Sequence, residues 1–74
     1  MELDRITFDP DKMGGRACVR GMRVPVSVVL KMLAGGMTRE QILADYPYLE
    51  PEDLNQCIEY AAMLADEGVA PRVG

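Results

Sequence analysis

Histidine is absent from this 74-residue sequence. Its absence removes the usual general base near neutral pH and the commonest zinc ligand. Ser–His and Cys–His nucleophile pairs are excluded on the same ground. Cysteine is scarce: Cys18 and Cys57 lie in different segments and form no CxxC pair. A small secreted domain stapled by disulfides needs more, so the two read as reduced, small apolar residues. Long apolar runs are also missing. The richest stretch, Val24 to Met37, holds Lys31 and two glycines and is too short to span a bilayer. The start, Met1 to Arg5, is charged with no apolar run behind it, unlike a secretory leader. The expectation is a cytoplasmic protein without membrane contact. No Asp/Glu grouping has calcium-loop spacing, and Gly14, Gly15 and Gly21 build neither GxGxxG nor a P-loop. With no catalytic set, metal site or cofactor motif in view, function is expected to lie in binding rather than in chemistry.

What is present fits one small folded domain. Its 49% hydrophobic content suffices for a core and argues against disorder. A chain this short buries only about 60% of its unfolded surface, so dimerisation or a larger partner would add stability. Net charge is −4, unevenly spread: residues 1–37 sum to +2 and residues 38–74 to −6. That split suits two faces with different partners, or a face that meets its opposite in a dimer; a mixed solvated surface is the plainer alternative.

Punctuation along the chain places the elements. Leu3 to Phe8 reads as a brief strand, broken by Asp9-Pro10-Asp11. Ala17 to Pro25 reads as a hairpin with Gly21-Met22 as a two-residue II′ turn. Pro25 suits a helix start, and Val26, Val29, Leu30 and Leu33 share one face of a helix running to Ala34, stopped by Gly35-Gly36. Thr38 to Gln41 matches a capping box for a second helix bearing Ile42, Leu43 and Tyr46. Pro47 ends it. A third helix starts near Pro51 with Glu52 and Asp53 in its first turn. It runs to about Glu67, with Gly68 as its C-terminal stop. The chain thus divides into strand and hairpin (1–25), three-helix core (26–67) and a tail (68–74) expected to fray. Leu30, Leu33, Ile42, Leu54, Ile58 and Ala61 are expected to be buried together. The tight linker Pro47-Tyr48-Leu49 suits a helix-turn-helix.

Two groups of residues carry binding potential. Arg16, Arg20 and Arg23 sit close together on the hairpin, and each guanidinium can form a bidentate pair with a phosphate or carboxylate. Ion pairs with the acidic third helix, or across a dimer, are the structural alternative. In a helix-turn-helix the third helix reads DNA, and Asn55 and Gln56 are the residues there that can address adenine. The neighbouring Glu50, Glu52 and Asp53 oppose this by repelling phosphates.

The run Met13-Gly14-Gly15-Arg16-Ala17-Cys18-Val19-Arg20-Gly21-Met22-Arg23-Val24-Pro25-Val26 resembles the DUF433 family, small bacterial and archaeal proteins with a hallmark close to GGKPxIRGTRIPV. Gly36-Met37-Thr38, Ile42-Leu43, Asp45-Tyr46-Pro47, Leu49, Glu52-Asp53-Leu54 and Tyr60-Ala61-Ala62 look like the same family, so the likeness covers nearly the whole chain. Ala17 and Met22 depart from the usual Pro and Thr, and Glu50 stands where Ser or Thr often caps the third helix. The resemblance implies a mainly α fold: a short N-terminal β-hairpin followed by a three-helix, homeodomain-like helix-turn-helix core. It also implies a non-enzymatic antitoxin of the VapBC type, binding a PIN-like nuclease toxin and its own operator DNA. The rival readings are a stand-alone dimeric DNA-binding regulator and a dimeric interaction module without DNA. A homodimer is expected in each, because the open strands near Ile6 and Cys18–Val24 invite pairing.

Overall fold

The computed structural model describes residues 3–11 and 13–67. The tail expected to fray lies outside the described residues. Strand β1 (Ile6–Phe8) pairs antiparallel with β2 (Ala17–Val19), placing Ile6 opposite Val19, Thr7 opposite Cys18 and Phe8 opposite Ala17. Helices α1 (Val26–Ala34), α2 (Arg39–Asp45) and α3 (Pro51–Glu67) follow. The chain is therefore mainly helical, with a two-stranded antiparallel hairpin ahead of three helices.

The helix boundaries follow local chemistry. Pro25 precedes α1 at φ −65°, the value its ring imposes. At the other end, the N–H of Gly36 donates to Leu33 C=O and that of Met37 to Met32 C=O, both at 3.1 Å. These are the two crossed bonds of a Schellman motif, which needs a left-handed residue; Gly36 supplies it at φ +97°. The capping box of α2 is complete: Thr38 Oγ1 accepts from Gln41 N–H (3.1 Å), and Gln41 Oε1 accepts from Thr38 N–H (2.8 Å).

The expected hairpin within Ala17–Pro25 is corrected. The regular pairing is β1 with β2; beyond Val19 the chain contributes a bond from Val19 N–H to Val24 C=O (3.0 Å) and an isolated Cys18–Pro25 bridge. The tight turn also lies one residue earlier. Met22 N–H donates to Val19 C=O (2.8 Å), with Arg20 (φ 46°) and Gly21 (φ 70°) at its centre. Two successive positive φ values make a type I′ turn rather than II′.

The core joins Ile6, Val19, Val24, Val26, Val29, Ile42, Leu49, Leu54 and Cys57. Leu30 and Leu33 pack half-buried against it, and Ala61 is also half-buried. Ile58, expected inside, is 38% exposed. The reason is polar: Asp53 and Gln56 are drawn inward by the N-terminal strand and the turn, which sets the rotation of α3 about its axis. The buried face then passes through Asp53, Leu54, Gln56 and Cys57, and leaves Ile58 at its edge. Both cysteines are buried and free, and burial together with the nearby Asp53 charge pushes the Cys57 thiol up to about 11. Among the described residues no helix is long and apolar enough to cross a membrane.

Candidate functional site

The hairpin arginines separate into inward and outward sets. Arg20 adopts a left-handed backbone, a conformation costing a non-glycine residue roughly 1–2 kcal/mol. In that position its guanidinium meets α3: Nε lies 3.0 and 3.2 Å from the two Asp53 oxygens and NH2 lies 2.9 Å from Oδ2. NH2 also donates to Tyr48 C=O at 2.7 Å. Arg5, from just before β1, completes the cluster by donating to Asp53 Oδ1 (2.9 Å) and Glu50 Oε1 (2.6 Å). Asp53 Oδ2 additionally accepts from Glu50 N–H at 2.8 Å, so Asp53 caps its own helix from the third position.

The Asp53 side chain is wholly buried, yet it stays ionised. Burial alone would push its pKa up; the bonds from Arg20, Glu50 N–H and Arg5 outweigh this and hold it below the ordinary carboxylate value. Donating to these carboxylates, Arg5 to Glu50 and Asp53 and Arg20 to Asp53, raises both arginines above their ordinary value. This is a structural lock that ties the strand segment and the turn to the first turn of α3. A carboxylate saturated by two arginines and a backbone donor is poorly suited to take up a proton or a metal ion.

The expected DNA-reading pair also divides. Gln56 is buried: its Oε1 accepts from Arg5 N–H (2.9 Å) and its Nε2 donates to Asp4 Oδ1 (2.8 Å). Its amide is spent on the N-terminal segment and is not presented to bases, which corrects that expectation. Asn55 is exposed, between Glu52 (3.2 Å) and Arg39 (2.7 Å).

Arg16 and Arg23 are exposed, and neither makes an ion pair among the described residues. Arg16 stands on the rim of an open groove of about 280 Å³. Val26, Ser27 and Leu30 of α1 form one wall, Tyr60, Ala61 and Leu64 of α3 the other, and Ala17 of β2 the end. Leu64 is 51% exposed. Phe8, 60% exposed, packs on Tyr60 with ring centroids 5.9 Å apart and extends the apolar surface beyond the groove. Sequence periodicity hides this surface, because Tyr60, Ala61 and Leu64 follow the same helical spacing as a core face. Tyr60 and Ala61 are half-buried and Leu64 is exposed, so this face is only partly covered by α1 and the strands.

Comparison with known proteins agrees over most of the chain. The sequence model of a family described as "Protein of unknown function (DUF433)" matches residues 6–61. An uncharacterized protein, y4eO, of Sinorhizobium fredii (strain NBRC 101917 / NGR234) is 39% identical over 56 residues. These make up 76% of this chain but only 25% of that protein. The crystal structure of a DUF433 member protein from Anabaena variabilis ATCC 29413 superposes with a TM-score of 0.78 at 30% identity. That match covers 85% of this chain and 62% of the neighbour's.

Proposed function

The chain belongs to the DUF433 family, and from that premise we propose that it is a non-enzymatic antitoxin that docks a PIN-like nuclease toxin in the cytoplasm. The observation that carries this reading is the open apolar groove with Arg16 at its rim and Arg23 on the loop before α1, neither ion-paired among the described residues. Arginine beside exposed aromatic and aliphatic side chains is the composition of a protein-binding hot spot. A PIN-type active site is a cluster of metal-binding carboxylates, and an outward guanidinium can compete for it with a bidentate pair. The reading includes a homodimer paired through the outer edge of β1, whose other edge is taken by β2. Binding of operator DNA is the weaker part, since Gln56 is engaged internally and Asn55 sits in a surface hollow lined by Glu52 and Glu59.

The test is co-expression with a PIN-like nuclease of the same genome, a gene neighbour first where there is one, followed by an RNA-cleavage assay of the purified pair. Inhibition that disappears in Arg16→Ala/Arg23→Ala, with folding intact, supports the reading. A nuclease that neither binds nor is inhibited refutes it. A salt-sensitive shift of the upstream DNA in its place favours the regulator.

A further inference from the structure

The reading that this chain docks a protein leaves open the chemistry of what enters the groove. We infer that the groove between α1 and α3 takes an amphipathic helix of the partner, with aliphatic side chains on one face and a carboxylate flanking them. Size comes first. About 280 Å³ is close to twice the ~150 Å³ cavity that holds a benzene, so the groove accepts one or two aliphatic side chains and not a whole domain edge. Its walls supply side chains only: the main chains of α1 and α3 are hydrogen-bonded within their helices, so an incoming strand finds no ladder to join along either wall. Insertion of apolar side chains spaced along a helix is the recognition mode that such walls allow.

Charge decides the rest. Arg16 is the ionisable cation of the lining, and it has no ion-pair partner among the described residues. No acidic residue occupies the first turn of α1, whose Val26 and Ser27 line the same wall. A basic occupant seated beside Arg16 meets like charge, while a carboxylate next to the inserted side chains meets a fork-shaped donor. Leu64, half out of the groove, provides the apolar contact at its far end.

The experiment uses two fluorescent model helices with leucines at i, i+3, i+4 and i+7, one with glutamates and the other with lysines at the remaining positions. The full chain should bind the glutamate helix and discriminate against the lysine helix by about tenfold or more. Arg16→Glu should abolish the discrimination, and Leu64→Asp should weaken binding of the glutamate helix about tenfold. Both residues are exposed, so circular dichroism should show unchanged folding. Equal binding of both helices, binding of neither, or indifference to both substitutions overturns the inference. Three other results do so as well. A dimer that Leu64→Asp splits to monomers names a second copy as the occupant. Binding gained only after deletion of residues 69–74 names the tail. Nuclease capture that survives Leu64→Asp places the toxin elsewhere, sinking this inference while sparing the antitoxin reading. Failure of nuclease inhibition with helix binding intact does the opposite.

Discussion

Replacing Asp53 by Asn keeps the shape of the side chain and removes its charge. The carboxylate is fully buried and receives bonds from Arg5, Arg20 and Glu50 N–H. The amide retains one acceptor oxygen, while its NH2 must face a ring of donors. Breaking a buried ion pair costs about 3–5 kcal/mol. The arginine side chains are 27% and 33% exposed and regain water when the pair is lost, so the low end, about 3 kcal/mol, applies. A 74-residue domain has a total stability of roughly 4–11 kcal/mol, so the fold survives with much of its margin gone. At about 4–8 °C per kcal/mol the melting temperature should fall by roughly 12–24 °C. Thermal unfolding followed by circular dichroism measures this, and a fall below about 4 °C refutes the argument.

The pH dependence gives the same idea a second test. The folded-state pKa of Asp53 lies below its ordinary value of 3.8. A depressed value means that the contribution is fully present above the unfolded pKa and is lost as pH falls through the folded one. The stability gap between the native chain and Asp53→Asn should therefore be flat from neutral pH to about 5 and should narrow below about 4. A gap unchanged at pH 2.5, or one that closes near neutrality, would show that the ion pairs are not its source.

Further outcomes follow from the same geometry. Leu54→Ala, at a site with no exposure, should cost about 2–5 kcal/mol in urea denaturation, whereas Ile58→Ala, 38% exposed, should stay below about 1 kcal/mol; equal costs would mean that α3 is rotated from the position described. Gly21→Ala should cost about 1–2 kcal/mol, because φ is +70° although nothing lies within 4 Å of the added methyl group; no loss would disprove the type I′ turn. Cys18 and Cys57 should resist a thiol reagent at pH 8 and react on unfolding, since both are buried and the Cys57 thiol is pushed up to about 11. Light scattering at tens of micromolar should give a dimer mass, and a monomer mass there would remove the β1 edge as an assembly surface.

Local signals announced nearly all of the secondary structure. Pro25, the Gly35-Gly36 stop, the Thr38–Gln41 box and Pro51 act within a turn of where they stand, so each boundary they mark agrees with the structure. The II′ turn at Gly21-Met22 was misplaced because a glycine at φ > 0 fits both hairpin turns, and nothing local says that Arg20 takes a left-handed backbone as well. On α3 Leu54 is buried as its spacing predicts, and Ile58 departs for a different reason. Apolar spacing favours Ile58, but the helix rotation is set by Asp53 and Gln56, whose partners Arg5, Arg20 and Asp4 lie 33 to 52 residues away. An acid in a first turn reads locally as a dipole-favoured, solvated group, and only the tertiary fold buries it.

That burial changes how the basic half of the chain must be read. The arginines at Arg16, Arg20 and Arg23 look equivalent in sequence, yet Arg20 serves the fold and the other two face outward. Arg5, which sequence reasoning passed over, belongs with Arg20. A double substitution that included Arg20 with Arg23 would mix two effects, because a partner lost through Arg20→Ala could be lost through the lock alone. Splitting the set removes the ambiguity. Arg20→Ala should lower thermal stability, and its effect should not add to that of Asp53→Asn, since both break the same bonds. Arg16→Ala and Arg23→Ala should leave the melting curve unchanged, as expected for exposed side chains with no ion pair among the described residues, and any loss of partner affinity in them belongs to the interface. If Arg16→Ala or Arg23→Ala destabilised the fold as much as Arg20→Ala, the division of labour drawn from the geometry would be wrong.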